Sequence, residues 1–456
     1  MNASLAAPTR WILPATILGS SLGFIDSSVV NVALPAVQRD FHSPLSTMQW
    51  IVNGYMLTLA SFILIGGASG DRFGRRRVFV LGLSGFAAAS LLCALAPGVS
   101  SLVLARLAQG FAAAFLTPAS LAIVGSAFSG EARGRAIGTW AGAAALTTAF
   151  GPPLGGWLVD TVGWRAIFLV NLPIAALAGW FILRTPADRG RQSGKPLDYS
   201  GALLAAVSLG LICFGLIGLG KGQQIQGWSS LTAAAIAIAS FCAVERYAAE
   251  PMLPLSMFSN RGFAGANGLT VLLYAALTAV LFLLPFVLIK VRGYAAAAAG
   301  SAFLPFALIM GAGSRTAGGL GARFGFGPTL AMGSWITALG FVLLGVDSGD
   351  SRYWAGVFPG LVVAAVGMTI AVAPLTAAVF DSAPGDMGGV ASGINNTAAR
   401  AGGLIAIAAL GLAFGDPGDV ALSGATLLSA YRLVMFAAAG LASAGGVVAI
   451  LSIRQR

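Results

Sequence analysis

Two opposite charges stand inside apolar runs of this chain, and they are the side chains best placed to do chemistry. Asp26 lies within the run from Trp11 to Leu34, and Arg106 lies within a later run of the same kind. Asp26 follows Arg10 by sixteen residues, which is about 24 Å along a helix, too far to reach one end by extension of the side chain. An aspartate at the centre of a membrane helix costs about 2.5–3.5 kcal/mol on insertion scales, so such a residue reads first as functional. The chemistry open to it is reversible protonation, with a structural carboxylate held by an arginine as the alternative. Arg106 either organises a proton path or simply pairs with Asp26 or with backbone carbonyls. Gln109, three residues on, shares the Arg106 face of a helix; it either lines a cavity or makes a packing hydrogen bond. Asn31 and the break at Pro35 suggest a polar space near Asp26. Other chemistries lack material. Cys93, Cys213 and Cys242 sit in apolar stretches without metal-ligand spacing, and His42 is the one histidine. No metal, cofactor or enzyme chemistry is expected.

The elements that must position these charges follow from composition. Of 456 residues, 57% are hydrophobic and 9% charged, against about 25% charged in soluble domains. Lipid is the implied solvent. The net charge of +11 is spread through short loops rather than gathered on one face, which argues against nucleic acid and for positive-inside topology. Apolar stretches of about 20 residues, enough to cross a bilayer, recur some fourteen times between 11–35 and 429–453. The fifth falls near 135–157 and the thirteenth near 393–415. The first is too long and too closely followed by others to be a cleaved signal. Basic residues divide roughly two to one between alternate loops, placing both termini in the cytoplasm. The expected protein is an all-α, multi-pass protein of the cell (inner) membrane, in contact with the lipid bilayer, and a monomer.

A long-period repeat divides the chain. Leu34-Pro35 matches Leu284-Pro285, Gly70-Asp-Arg-Phe-Gly74 matches Gly321-Ala-Arg-Phe-Gly325, Pro118 matches Pro374, and Gly134 matches Gly389. The collinear offset pairs helices 1–6 with helices 9–14 and leaves two inserted between them. Expected units are residues 1–190, a six-helix bundle; 191–262, two inserted helices with their loops; and 263–456, a second six-helix bundle. Parallel halves of this kind recur in transporters.

Gly70-Asp71-Arg72-Phe73-Gly74-Arg75-Arg76-Arg77, between helices 2 and 3, resembles the signature loop of the major facilitator superfamily. Its bland reading is topology alone, but topology does not require the carboxylate of Asp71. The stretch Gly23 to Pro35 is similar to the first-helix motif of the fourteen-helix drug:proton antiporter branch. Leu102 to Gly110 is similar to that branch's buried-arginine motif. Gly151-Pro152-Pro153-Leu154-Gly155-Gly156 resembles the motif that marks antiporters. The resemblance covers essentially the whole chain. It implies a major facilitator fold with about fourteen helices (six, two and six), a cytoplasmic gate at the 70–77 loop, and proton coupling through Asp26 and Arg106. It also implies a tightly packed fifth helix that seals against leak, a role in which glycines allow close approach and prolines bend the axis.

Weaker candidates for a substrate cavity are Asn31, Asn53, Tyr55, Gln109 and Phe150. Aromatic faces can hold a hydrophobic cation, though interfacial aromatics are more often anchors. Arg315 and Arg400 read as charges near cytoplasmic helix ends. The acids of the second half (Asp347, Asp350, Asp381, Asp386, Asp416 and Asp419) fall in loops or at helix ends, which weakens a case for dicationic substrates. The expected function is proton-driven efflux of small amphipathic, drug- or antibiotic-like compounds by alternating access. A dedicated exporter of one metabolite is the alternative, and a proton-coupled importer a more distant one.

Overall fold

The computed structural model describes residues 9–186, 197–248, 250–347, 352–384, 387–414 and 424–453, leaving aside the side chains of Thr9, Arg315, Thr316 and Ala322. Regular structure among them is helical throughout. A chain this apolar has no water to satisfy its backbone, and helices solve that locally. The long helices are α1 (Ile12–Asp40), α2 (Leu45–Phe73), α3 (Arg75–Ala94), α4 (Val99–Ala127), α5 (Gly130–Thr161), α6 (Ala166–Leu183), α7 (Tyr199–Gly220) and α8 (Gln224–Tyr247). They continue as α9 (Arg261–Val291), α10 (Ala296–Ser314), α11 (Phe326–Val346), α12 (Val357–Asp381), α13 (Gly388–Ala413) and α14 (Gly424–Ser452). Thirteen are long and apolar enough to cross a membrane. The other, α5, carries Glu131, Arg133 and Arg135 in its first turns and glycines along its length. Both α5 and α13 start five residues before the apolar stretches marked in the sequence, because hydropathy does not register helix carried by Gly130, Gly388 and Gly389.

The offset repeat reappears in the backbone. Gly74 (φ 95°) joins α2 to α3, and Gly325 (φ 84°) stands in the same place before α11. This left-handed region is costly to any side chain and free to glycine. Pro35 and Pro285 lie inside α1 and α9, and Pro118 and Pro374 inside α4 and α12.

Close packing rests on small residues. A Cβ on Gly110 would fall 2.1 Å from the carbonyl oxygen of Tyr55, and one on Gly66 2.0 Å from that of Ala114. The backbones of α2 and α4 therefore touch. α7 and α8 pack on each other through Gly215 and Leu231, and α7 meets α13 where Gly220 faces Gly411.

The start of α1 lies against the end of α6, with Trp11 stacked on Phe181. The end of α14 lies against the start of α9, with Ser452 beside Gly265. α2 and α13 run antiparallel, Gln49 donating to the Ile407 carbonyl at 2.6 Å near one end and Leu64 meeting Gly393 near the other. Both described ends of the chain consequently lie at one face of the bundle.

Candidate functional site: a buried charge network and a seam

Arg106 reaches its place because α4 has no side chain at Gly110 and lies directly on α2. Its Nε donates to the Ile51 carbonyl at 3.2 Å, and its guanidinium lies 4.4 Å from the centre of the Tyr55 ring. Arg106 Nη1 donates to Asp26 Oδ2 at 2.5 Å and to Gln109 Oε1 at 2.6 Å. The other carboxylate oxygen of Asp26 accepts from Gln109 Nε2 at 2.9 Å. Asp26 is 0% exposed and Arg106 1%. Gln109 also donates to Ser90 Oγ at 2.7 Å, and Asn171 donates to the same hydroxyl at 3.1 Å. A single network thus ties α1, α2, α3, α4 and α6 together at depth. Such a pair repays its desolvation only when geometry and surrounding hydrogen bonds are good, and here both oxygens of the acid are engaged.

The structure unites Asp26, Arg106, Gln109 and Tyr55, and it places them in packed interior rather than along an open cavity. Asn53 is also fully buried, and both atoms of its amide lack a hydrogen-bond partner. Asn31 Oδ1 likewise has none. Phe150, on α5, stands apart and is 56% exposed. Ser90 and Asn171, joined to Asp26 through Gln109, are members of the network that sequence reasoning did not place there. Ser90 had as its signal only a polar residue in an apolar segment, and Asn171 its place in the stretch Trp164 to Pro173, which is similar to the antiporter branch.

The helix-5 motif divides its contacts between two neighbours. A Cβ on Gly151 would meet Ser28 Oγ at 1.9 Å, and one on Gly155 the Val29 side chain at 2.2 Å, so these glycines seat α5 on α1 just past Asp26. Gly156 faces the other way, with Ala296 O 2.1 Å from its would-be Cβ, and Gly300 meets the Pro152 carbonyl at the same distance. Asp160 completes this seam by accepting from the backbone N–H groups of Ala296 (3.1 Å) and Ala297 (2.8 Å) at the start of α10. Nearby, Lys290 donates to Gln38 at 2.6 Å. The face of α5 that carries Gly156 also carries Gly142, Gly138 and Gly134 at helical spacing. Those three have nothing within 4 Å of a would-be Cβ. Along this face α5 is therefore packed on α10 near the end away from the chain ends and has no close neighbour at the three glycines nearer the other end.

At the face that holds the chain ends, Asp71 accepts from Arg75 one turn on, at 2.8 Å, in an exposed ion pair. Arg76 donates to the carbonyls of Ile182 (3.1 Å) and Leu183 (2.9 Å), pinning α3 to α6. Arg75 lies against Gly70 of α2. Arg72 lies over the Phe73 ring. Among the second-half acids, Asp347 follows the last residue of α11 and pairs with Arg292, and Asp381 ends α12. Asp350, Asp386, Asp416 and Asp419 lie outside the described residues. Arg315 falls near the end of its helix. Arg400 does not: it is the thirteenth residue of the helix that begins at Gly388, about 18 Å in, because that helix starts earlier than its apolar stretch.

A twice-built helical bundle, crossing lipid many times and pinned by a charge network at mid-depth, defines a multi-pass membrane protein of the transporter kind. The chain belongs to the Major Facilitator Superfamily, whose description matches residues 16–407. It is similar to the tetracenomycin C resistance and export protein of Streptomyces glaucescens, with 34% identity over 88% of this chain and 75% of that one. It is 36% identical to the multidrug resistance protein Stp of Mycobacterium tuberculosis (strain ATCC 25618 / H37Rv), over 88% and 74%. The lincomycin resistance protein of Streptomyces lincolnensis is 34% identical over 84% and 80%. The fold matches that of a bacterial homolog of the human lysosomal transporter Spinster, in an inward-facing and unoccupied conformation. The TM-score there is 0.70 at 16% identity, over 98% of this chain and 97% of that one. The inward-open xylose transporter XylE of E. coli gives 0.67 at 14% identity, over 98% and 97%.

Proposed function

We propose that the protein exports small amphipathic, antibiotic-like compounds across the inner membrane in exchange for protons, with both termini in the cytoplasm. The observation that carries the proton step is the Asp26–Arg106–Gln109 network, a buried carboxylate whose charge is held by one guanidinium. Export is supported by the resistance and export functions named for its relatives. The units 1–190 and 263–456 rock about the α5–α10 and α2–α13 contacts, with 191–262 carried alongside α2 and α13.

In the state described, the cytoplasmic face is open and the outer face shut. Ionised Asp26 grips Arg106 and holds α1 against α4. A proton arriving at Asp26 cancels that grip. Because Ser28 and Val29, just beyond Asp26 on α1, press on Gly151 and Gly155 of α5, movement of α1 reaches α5 directly. The opposite side of α5 is the outer seam, so the proton site and the outer closure share one helix. Asp71 and its basic neighbours serve the alternate closure at the cytoplasmic end.

The test is transport in everted membrane vesicles, with the pH gradient and the potential collapsed separately. Asp26→Asn is expected to abolish concentrative uptake while leaving exchange down a substrate gradient. Concentrative uptake by the variant would refute the coupling. A growth-inhibition panel separates multidrug from dedicated export: resistance to many unrelated scaffolds favours the first, and to one the second.

A further inference from the structure

Arg400 lies halfway between Gly393 and Ile407, the two points at which α13 touches Leu64 and Gln49 of α2. The corresponding middle of α2 is Met56 and Leu57, with Tyr55 and the unpartnered amide of Asn53 within a turn. On its other flank α13 packs on α9, through Asn395 with Asn267 and Thr270, Gly402 with Val271, and Gly403 with Thr278. Tyr274 falls on that same stripe of α9. Arg400 therefore sits at mid-depth where α2, α9 and α13 converge. It is half-buried, and among the described residues no carboxylate or hydrogen-bond acceptor engages it.

An arginine at this depth needs a counter-charge or a carbonyl cage. The carboxylates described elsewhere are committed: Asp26 to Arg106, Asp347 to Arg292, Asp40 to Arg165 and Asp160 to the α10 backbone. None of these four is paired with Arg400, which among the described residues has no counter-charge. We propose that Arg400 is the counter-charge for an acidic group on the transported compound. The site takes amphipathic anions, meaning a carboxylate, sulfonate or acidic phenol beside an apolar ring system, in preference to lipophilic cations. The planar fork of a guanidinium fits such oxygens two at a time. Tyr274, half-buried on the facing stripe of α9, is placed to hydrogen-bond the same ligand. This assignment rests on the export reading above and names its substrate class.

The experiment uses the purified full-length protein in a neutral detergent and two probes with one ring and opposite charge, 1-pyrenesulfonate and 1-pyrenemethylammonium. Binding is read by quenching of the protein's tryptophans. The wild type is expected to bind the sulfonate about tenfold more tightly, R400Q to lose about tenfold for the sulfonate alone, and R400K, which keeps the charge but not the fork, to fall between the two. R400M, of similar length, gives the same reading if R400Q does not fold. Equal affinity for the two probes in the wild type, a preference for the cation, or an unchanged preference in R400Q would each overturn the assignment. No gradient is present in this measurement, so its outcome is independent of proton coupling. The vesicle assay with Asp26→Asn tests the coupling alone.

Discussion

Asp26 and Arg106 have both left water, and each is tolerable only because of the other. Removing one partner of such a pair costs about 3–5 kcal/mol, mainly because the survivor stays buried and unpaired. Asp26→Asn is therefore expected to lower the Tm of the detergent-solubilised protein as well as its transport. Adding Arg106→Gln should restore most of the Tm and none of the concentrative uptake. A double variant no more stable than Asp26→Asn would show that Arg106 is held chiefly by Ile51 and Tyr55. These two charges were legible in the sequence because a charge in an apolar run has no cheap explanation. Gln109 was legible by its spacing, but its companions Ser90 and Asn171 were not, since a lone serine or asparagine in a helix has many uses. Arg400 was misread because distance along a helix depends on where the helix begins, and glycines conceal that start from hydropathy.

The helices α5 and α10 meet backbone to backbone, so side-chain volume at the seam is a direct lever on the closed state. Gly300→Val puts branched carbon against the Pro152 carbonyl and should hold the outer face apart without unfolding the bundle. Spin labels at Val162 and Trp354, exposed beside the outer ends of α5 and α12, are expected to report a longer mean distance than in wild type and a loss of transport. An unchanged distance would mean that the seam does not set the closure. Asp160→Ala acts more gently. A helix cap is worth about 0.5–2 kcal/mol, which corresponds to roughly a two- to thirtyfold shift towards the outward-open form, measurable as faster labelling of a cysteine placed at the seam. The glycines of α5 were readable in the sequence as packing residues. Their division between α1 and α10 was not, because a glycine does not say which neighbour it admits. Asp160 lay beyond the apolar stretch near 135–157 and was passed over for that reason.

At the scale of the whole molecule, the multi-pass helical fold followed from periodic apolar runs, and the offset read in the sequence survives in the backbone at Gly74 and Gly325. The tilt of one half against the other is a choice between states that one sequence must support equally, so no residue pattern announces it. The charge count of transport belongs to this scale too. One proton entering down 100 mV is worth about 2.3 kcal/mol. Exchanged for a neutral compound, it sustains roughly a fiftyfold gradient at about 1.4 kcal/mol per decade. Exchanged for a monoanion, the same proton moves two charges, worth about 4.6 kcal/mol and roughly a two-thousandfold gradient. Collapsing the potential in vesicles at constant pH gradient is accordingly expected to depress export of an acidic substrate more than that of a neutral one. Equal sensitivity would argue against one-for-one exchange with an anion.

The outer seam has one more property. Where Gly156 and Gly300 meet Ala296 and Pro152, neutral peptide units touch, and Asp160 beside them is held by backbone N–H groups rather than by a mobile counter-charge. The exposed Asp71–Arg75 pair at the other end is the opposite case, since surface charges fade within about 10 Å at 0.1 M salt. A cell bathed in brine and one bathed in fresh water would thus find the outward door equally tight. On the proposed orientation the outer solution touches only the first of these contacts, and the cytoplasm's own ionic strength bears on the second.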